Sequence, residues 1–186
     1  MHVEATKKLF TVDEYYRMAE AGILKPEDRV ELIDGEIIEM SPIGNRHLGC
    51  VNRATHLFTS LLGKRVVVSI QHPLRLSNYT EPEPDIVLLK PRADYYASKT
   101  PTADDALLVI EVADTTLSYD LNVKTPRYAT AAVPEVWIVN LRDDLLQVYR
   151  DPSAGTYQAS LVLRRTESVS PVSFPDLILS AEQLLV

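Results

Sequence analysis

Short apolar runs separated by turn residues occupy the middle of the chain. Three of them predict strands over Arg65–Gln71, Asp85–Leu89 and Leu107–Val112, because continuous runs rich in Val, Ile and Leu are typical of strands buried on both faces. Before them, a helix is predicted from about Asn45 to Leu62. Its apolar positions fit one buried stripe, formed by Leu48, Val51, Leu57, Phe58, Leu61 and Leu62.

A second helix is predicted between Leu117 and Ala132, and a strand over Glu135–Leu141 follows it. The middle of the chain therefore has the order helix–strand–strand–strand–helix–strand. This pattern predicts an α/β or α+β sheet domain. A chain of 186 residues is long enough for one domain, so we expect residues 1–186 to form a single unit.

Turn signals predict additional elements at both ends of this core. Near the N-terminus, Thr11 and Glu14 form a capping box for a short helix that Gly22 ends. Asp34-Gly35 then lies between two apolar runs and predicts a hairpin. A further hairpin is expected near the C-terminus, with strands over Leu145–Arg150 and Tyr157–Leu163 and a loop over residues 151–155. The segment from Phe174 to Val186 is predicted to cap the sheet.

Two carboxylates in these apolar runs are candidate functional residues. Asp85 opens one run and Glu111 lies inside another. A carboxylate in a buried strand is costly unless it is paired or bound to a metal. An alternative for Asp85 is a carboxylate that caps a turn after Pro82 and Pro84, whereas the apolar neighbours of Glu111 on both sides make a purely structural role harder to defend.

Lys124 follows these runs and has two opposing interpretations. It could neutralise charge beside the two carboxylates, or it could be a solvated lysine paired with Asp120, four residues earlier on the same helix. Pro126 affects the first interpretation, since proline inside a helix removes a hydrogen bond unless it lies in the first turn. The helix is therefore expected to begin near Thr125 or to kink there.

The chain resembles the Uma2 family of endonucleases, which belongs to the PD-(D/E)xK restriction-endonuclease-like superfamily. The resemblance covers nearly the whole chain and rests on the order and spacing of six fragments: Thr11–Tyr15, Glu31–Ile37, Ser41–Gly44, Glu83–Ile86, Val109–Val112 and Glu135–Val139. It implies a restriction-endonuclease-like αβββαβ core with a mixed central sheet, flanked by helices and extended by hairpins at both ends.

The same resemblance implies a Mg²⁺-dependent or Mn²⁺-dependent nuclease acting on nucleic acid, with DNA as the expected substrate. Asp85, Glu111 and the backbone carbonyl of Val112 would bind the metal, since Mg²⁺ favours oxygen ligands. In the plain superfamily motif a lysine stands two residues after the glutamate, where this chain has Ala113. In the Uma2 family the lysine has moved to the following helix, so the resemblance points to Lys124 as the catalytic lysine.

Glu31, His47 and Gln71 are secondary candidates. Glu31 and His47 fall in or beside matching fragments and are assigned possible catalytic roles, while Gln71 ends its strand near the edge that Asp85 occupies. Each has a simpler alternative. Glu31 alternates with apolar residues like a solvent-facing strand position, His47 resembles a loop or cap histidine, and Gln71 resembles a polar strand end.

Composition and charge narrow the function further. The chain is 46% hydrophobic and 24% charged, which is typical of a globular protein, and the segment Met1–Lys8 lacks the apolar core of a signal peptide. We therefore expect a cytoplasmic protein without membrane association. The formal charge of −7 counts against a nuclease, because proteins that bind nucleic acid usually neutralise phosphates with Lys and Arg.

Two other functions stay open at this level. One is a non-catalytic binding or assembly module that retains the nuclease fold, which the acidic charge and Pro126 favour. The other is a metal-dependent phosphoesterase for small substrates. A basic groove beside Asp85 and Glu111 would favour the nuclease. The resemblance also implies a homodimer, since the two strands of a duplex favour a two-fold symmetric partner.

Overall fold

A computed structural model describes residues 6–25 and 27–185, which form helices and mostly short strands. The α-helices are α1 (Val12–Glu20), α2 (Asn45–Leu62), α3 (Leu117–Tyr119) and α4 (Thr125–Thr130), with a π-helical turn over Asp120–Lys124 between the last two. The strands are β1 (Val30–Ile33), β2 (Glu36–Glu39), β3 (Val67–Ile70), β4 (Ile86–Leu89), β5 (Ala106–Ala113), β6 (Glu135–Asn140), β7 (Leu145–Ser153), β8 (Thr156–Leu163), β9 (Ser168–Val169) and β10 (Leu179–Ser180).

The six strands from β3 to β8 form a central sheet in sequence order. All neighbours are antiparallel except β5 and β6, which are parallel and paired from Val109 with Val136 to Ala113 with Asn140. A parallel pair needs a crossover connection, and α3, the π-helical turn and α4 together provide it. The order from α2 to β6 confirms the predicted αβββαβ core and its mixed sheet.

The central sheet is buried on both faces by two separate apolar clusters. Ile86, Leu88 and Ile110 pack with α2 and the C-terminal segment on one face. Val87 and Val109, at the alternate positions, pack on the other face with α4 and the loop before β4. This burial confirms the interpretation of the apolar runs, because successive side chains of a strand point to opposite faces.

The helix α2 has the predicted bounds but a different buried face. Leu48 and Leu61 were expected in its stripe, yet they are 50% and 47% exposed. The buried positions are instead Cys50, Val51, Ala54, Phe58 and Leu62. Leu48 and Leu61 lie outside that face because the helix turns by 3.6 residues per turn, and small Cys and Ala side chains form part of the contact.

Both predicted hairpins are present. In the N-terminal one, Asp34 and Gly35 have φ of 51° and 78°, as a two-residue turn between twisted strands requires. A Cβ at Gly35 would lie 2.7 Å from Cβ of Leu9, so glycine is required there for space as well. The hairpin β1–β2 is not part of the central sheet.

Two predicted boundaries were wrong. The strand expected from Arg65 begins at Val67, because a 3₁₀ turn over Gly63–Arg65 follows α2. The loop expected over residues 151–155 is reduced to Ala154 and Gly155, since β7 continues to Ser153. Both turn residues have positive φ and close a tight hairpin, which the glycine makes possible.

The predicted capping elements are also present. Thr11 caps α1 in a capping box with Glu14, as expected. Phe174, Leu179, Leu184 and Leu185 pack into the cluster on the α2 face, so the C-terminal segment covers the sheet up to residue 185. Val186 and residues 1–5 of the segment Met1–Lys8 lie outside the described residues. No helix of the described part is both long and apolar enough to cross a membrane.

We predict that Phe58→Ala lowers the free energy of unfolding by about 3–5 kcal/mol, because Phe58 is fully buried between α2 and the sheet and its ring lies 6.2 Å from that of Trp137. Urea denaturation followed by circular dichroism measures the change. The control is Leu61→Ala on the exposed side of the same helix, for which we expect a change within about 0.5 kcal/mol. Equal effects of the two substitutions would contradict the assignment of the buried face.

Candidate functional site

A cleft of about 680 Å³ lies between the hairpin β1–β2 on one side and the helical region from α3 to α4 on the other. The end of β3, the start of β4, the end of β5 and the start of α2 also contribute to its walls. The sequence-predicted site residues that line it are Glu31, His47, Gln71, Asp85, Glu111 and Lys124. The structure therefore brings together residues that lie up to 93 positions apart in the sequence.

Asp85 immediately precedes β4 and is held by contacts from three elements. Its Oδ2 accepts a hydrogen bond from the backbone N–H of Val112 at 2.8 Å and lies 3.0 Å from Nε2 of His47. Its Oδ1 accepts a bond from Nε2 of Gln71 at 3.3 Å. Burial alone would raise the pKa of Asp85, but the bonds from His47 and Val112 outweigh it and lower the pKa. Asp85 is therefore an ionised carboxylate at neutral pH.

Glu111 lies in the middle layer of the structure, on β5, with only 3% of its side chain exposed. Its Oε1 accepts a hydrogen bond of 2.6 Å from the hydroxyl of Tyr128 and lies 3.1 Å from Nζ of Lys124. Its Oε2 accepts a bond of 3.3 Å from the backbone N–H of Asp85. Burial raises the pKa of Glu111, and the ammonium group of Lys124 opposes part of that rise.

Lys124 is buried, with 7% of its side chain exposed, so the interpretation as a solvated lysine was wrong. Its Nζ lies 3.1 Å from Oε1 of Glu111 and 3.3 Å from Oε2 of Glu31. Burial alone would lower the pKa of Lys124, but the carboxylates of Glu111, Glu31 and Asp120 outweigh it and raise the pKa. Its amine is therefore fully protonated at neutral pH.

The π-helical turn explains how Lys124 reaches the cleft despite Pro126. Lys124 ends this turn, and α4 begins at Thr125 with Pro126 in its first turn, where the missing N–H costs no helical hydrogen bond. The hydroxyl of Thr125 donates to the carbonyl of Asp120 at 2.8 Å. The helix thus restarts at Thr125, which was one of the two expected outcomes.

Glu31 is 1% exposed, so its interpretation as a solvent-facing strand position was wrong. Besides Lys124, its carboxylate accepts hydrogen bonds from the backbone N–H of Glu83 at 3.0 Å and from the hydroxyl of Tyr119 at 3.1 Å. The hairpin β1–β2 lies outside the sheet, yet it inserts this carboxylate beside the lysine. The alternation of Glu31 with apolar neighbours did not indicate solvent exposure, because other parts of the protein cover both faces of β1 at this position.

His47 and Gln71 both contact Asp85, so neither is a simple loop histidine or free strand end. His47 lies in the first turn of α2, and its side chain is 14% exposed. While Nε2 faces Asp85, Nδ1 is buried and has no hydrogen-bond partner among the described residues. Buried polar atoms without a partner are rare in folded proteins.

Sequence reasoning missed the contacts that Tyr119 and Tyr128 make with the cluster, and it expected Asp120 on an exposed helix face. Asp120 is buried and accepts a hydrogen bond of 2.7 Å from the hydroxyl of Thr116, and burial raises its pKa. Tyr119 and Tyr128 orient Glu31 and Glu111 through their hydroxyls. Full burial excludes Tyr128 as a surface for base stacking. The sequence paired Asp120 with Lys124 on an exposed helix face, and it could not show that tertiary contacts bury both residues.

The walls of the cleft are acidic. Among the described residues that line it, seven are carboxylates, namely Glu31, Glu39, Glu83, Asp85, Glu111, Asp114 and Asp120. The permanent cations are Arg29 and Lys124. The described residues that line the cleft therefore form no basic groove beside Asp85 and Glu111. Charge alone does not favour a nuclease.

The donor set fits a hard divalent cation. Asp85 and Glu111 supply oxygen ligands, and the carbonyl of Val112 lies on the same side of β5 as its N–H, which points at Asp85. Mg²⁺ typically takes one or two carboxylates and completes its shell with waters and substrate oxygens. The described residues contain no group of three or more His, Cys, Asp or Glu side chains arranged to hold a metal.

The family model Uma2, described as "Putative restriction endonuclease", matches residues 12–182. The chain belongs to the Uma2 family. A solved structure with a similar fold is described as a putative nuclease belonging to DUF820 from Anabaena variabilis; it is 19% identical, has a TM-score of 0.75, and the match covers 94% of this chain and 97% of that one. No curated protein matches the chain significantly.

The Uma2 match confirms the resemblance, and the similar structure confirms the fold. The description of the family model supports a nuclease at the coarse level. Within this family fold, the six predicted residues meet in one cleft, as described above. The predicted homodimer, the cytoplasmic location and the single domain over residues 1–186 stay predictions.

We predict that Lys124→Met destabilises the metal-free protein by about 3–5 kcal/mol, because it leaves Glu111 and Glu31 buried without their cation. Removing the ammonium raises the pKa of Glu111 further above its value in the unfolded chain. Beside Lys124 the pKa of Glu111 is already raised to about 8, so the two folded proteins differ in the ionisation of Glu111 only near and above that pH, and the destabilisation should grow from pH 7 to pH 9.

Urea denaturation in the presence of EDTA at the two pH values tests this prediction. The control is Lys90→Met, since Lys90 is exposed. Its effect should stay within about 0.5 kcal/mol at both pH values. A Lys124→Met protein as stable as the control would show that the buried ion pairs do not form.

Proposed function

We propose that this protein is a nuclease that uses Mg²⁺ or Mn²⁺ to hydrolyse phosphodiester bonds of DNA. The observation that carries the proposal is the convergence of Asp85, Glu111 and Lys124, from three different elements, at the base of one cleft. Lys124 lies within 3.1 Å of Glu111, whose other oxygen contacts the backbone of Asp85. The Uma2 match supports the reaction class, and the geometry supports the residues.

In this proposal Asp85, Glu111 and the carbonyl of Val112 hold the metal. The ion supplies Lewis-acid chemistry and a bound water of lowered pKa when it is present. Asp85 is suited to the role because its hydrogen bonds keep it ionised, and it is fixed from both sides by Gln71 and Val112. Glu111 is fixed by the hydroxyl of Tyr128.

Lys124 is proposed to neutralise the negative charge that develops on the scissile phosphate. Its pKa is raised by the surrounding carboxylates, so the amine does not act as a base at neutral pH. A protonated ammonium in a site with little water is instead an effective electrostatic partner for a developing oxyanion. The same carboxylates hold the ammonium in place before substrate arrives.

Glu31 and His47 are proposed to position these groups. Glu31 holds Lys124 from the side opposite Glu111, and its bonds to Glu83 and Tyr119 fix its own carboxylate. His47 holds Oδ2 of Asp85 and keeps one ring nitrogen directed at no protein group. Both residues lie outside the three strands that form the centre of the αβββαβ core.

The acidic walls are compatible with this proposal only if a cation is part of the site. Four carboxylates surround one ammonium at the base of the cleft, namely Glu31, Asp85, Glu111 and Asp120. A divalent ion would remove most of the excess negative charge and allow a phosphate to approach. Substrate binding should therefore depend on metal more strongly than it does in a nuclease with a basic groove.

We predict that wild-type protein binds Mg²⁺ and Mn²⁺ with millimolar or tighter affinity in calorimetry, and that Glu111→Ala abolishes this binding because it removes one of two carboxylate ligands. With Mn²⁺ present, the wild type should cleave labelled DNA. Asp85→Asn and Lys124→Met should each reduce cleavage by about 10²–10³-fold.

The control is Asp104→Asn, which removes an exposed carboxylate outside the cleft and should leave metal binding and cleavage unchanged. Thermal denaturation of each variant at the assay temperature shows that it is folded. A wild-type protein that neither binds metal alone nor cleaves single-stranded or double-stranded substrates with metal would contradict the proposal.

The acidic walls favour one second candidate, a non-catalytic module that keeps the nuclease fold. In that case the buried ion pairs of Lys124 are purely structural. Pro126 no longer favours the module, because α4 begins at Thr125 and has this proline in its first turn. The metal and cleavage experiments separate the two candidates. A small-substrate phosphoesterase would bind the metal but cleave model phosphodiesters in preference to DNA.

A further inference from the structure

The base of the cleft is recessed from the protein surface. The side chains of Glu111, Lys124 and Glu31 are 3%, 7% and 1% exposed, and that of Asp85 is 14% exposed. A phosphate that reacts there must therefore enter the cleft between the hairpin β1–β2 and the helical region. It cannot react from the protein surface.

The size of the cleft limits what can enter. Its volume of about 680 Å³ lies within the range of pockets that hold small organic ligands, roughly 300–1,000 Å³. This is space for about one or two nucleotides rather than for a double helix. An intact duplex presents its phosphates on the outside of a stiff rod, so they cannot reach the recessed carboxylates without distortion of the rod.

The walls of the cleft present apolar side chains, which suit contact with bases rather than with phosphates. Apolar and aromatic residues line both sides, with Ile38, Met40, Pro42 and Ile43 from the hairpin and its following loop, and Tyr119 and Val123 from the helical region. Unpaired bases bind such surfaces by stacking and burial, whereas paired bases are already stacked in the duplex. Tyr119 is half-buried and lies beside the Lys124 site through its bond to Glu31.

Charge supports the same substrate class. A protein that contacts six to ten phosphates of a duplex uses a similar number of Lys and Arg side chains. Here Arg29 is the cation of the described cleft lining that has no carboxylate partner, since Lys124 is paired with Glu31 and Glu111. A ligand held by one or two phosphate contacts, the metal and its bases fits this charge distribution.

We infer that the cleft takes single-stranded nucleic acid, with about one or two unpaired nucleotides seated between the hairpin β1–β2 and Tyr119. This inference rests on the proposed nuclease function and narrows its substrate. It assigns the hairpin and the loop over residues 41–44 a direct role in binding the substrate. The Tyr119 ring is the aromatic platform, and Glu31 fixes its hydroxyl.

Cleavage and binding of matched oligonucleotides test the inference. The substrates are one labelled sequence as a single strand and as a blunt duplex, with DNA and RNA as separate arms and Mn²⁺ in all reactions. The expected result is a kcat/KM at least tenfold higher for the single strand. The affinity for it should fall with salt on a slope of about −0.7 to −1.4 in the logarithmic plot, which corresponds to one or two phosphate contacts.

Variants of Tyr119 test the platform. Tyr119→Leu should raise KM for the single strand by about tenfold, the low end of what stacking on one base contributes, while kcat changes less than KM. Tyr119→Phe keeps the ring and should bind nearly as the wild type does. The matched control is Tyr79→Leu, since Tyr79 is exposed and does not line the cleft.

Two results would overturn the inference while leaving the nuclease proposal intact. One is a duplex cleaved as fast as the single strand, and the other is a KM for Tyr119→Leu equal to that of Tyr79→Leu. If no substrate is cleaved, the nuclease proposal fails, and fluorescence anisotropy still decides the inference. Metal-dependent binding of the single strand that Tyr119→Leu weakens would support it, and equal binding of duplex and single strand would refute it.

Discussion

The ammonium group of Lys124, buried among carboxylates, is the interaction on which the rest of the site depends. It contacts Glu111 from the sheet and Glu31 from the N-terminal hairpin, so one cation joins two parts of the chain that share no strand pairing. Burying these charges is favourable only with good geometry and further hydrogen bonds, which Tyr119 and Tyr128 provide. The fold thus places a dense charge cluster where an apolar core would have been simpler and more stable.

That cluster explains features of the backbone that otherwise appear unrelated. The π-helical turn places Lys124 beside the end of β5, and the restart of the helix at Thr125 accommodates Pro126 without the loss of a helical hydrogen bond. Single π-helical turns inside helices are rare and occur frequently at functional sites. The hairpin turn at Asp34 and Gly35 similarly fixes β1, from which Glu31 reaches the lysine.

Much of the fold could be predicted from the sequence because its elements are short, apolar and clearly separated by turn residues. The core order, both hairpins and the bounds of α2 follow from local patterns. Lys124 and Glu31 could not be placed in this way. Their local patterns indicate exposed positions, and only the tertiary contacts between the hairpin, the sheet and the π-helical turn bury them. Spacing predicts which face of an element a residue occupies, but not what later covers that face.

The acidic charge of the chain has a different meaning once the cleft is known. The net charge of −7 for the whole chain argues against nucleic-acid binding, because a negatively charged protein repels phosphates at long range. Within the cleft, the carboxylates are concentrated around the positions suited to a divalent ion, and apolar residues line the adjacent walls. Under the proposed function, a site built in this way would gain affinity from the metal and from bases at short range. Repulsion between the acidic surface and a duplex would then add to selectivity, because only a flexible strand brings few phosphates close to the protein.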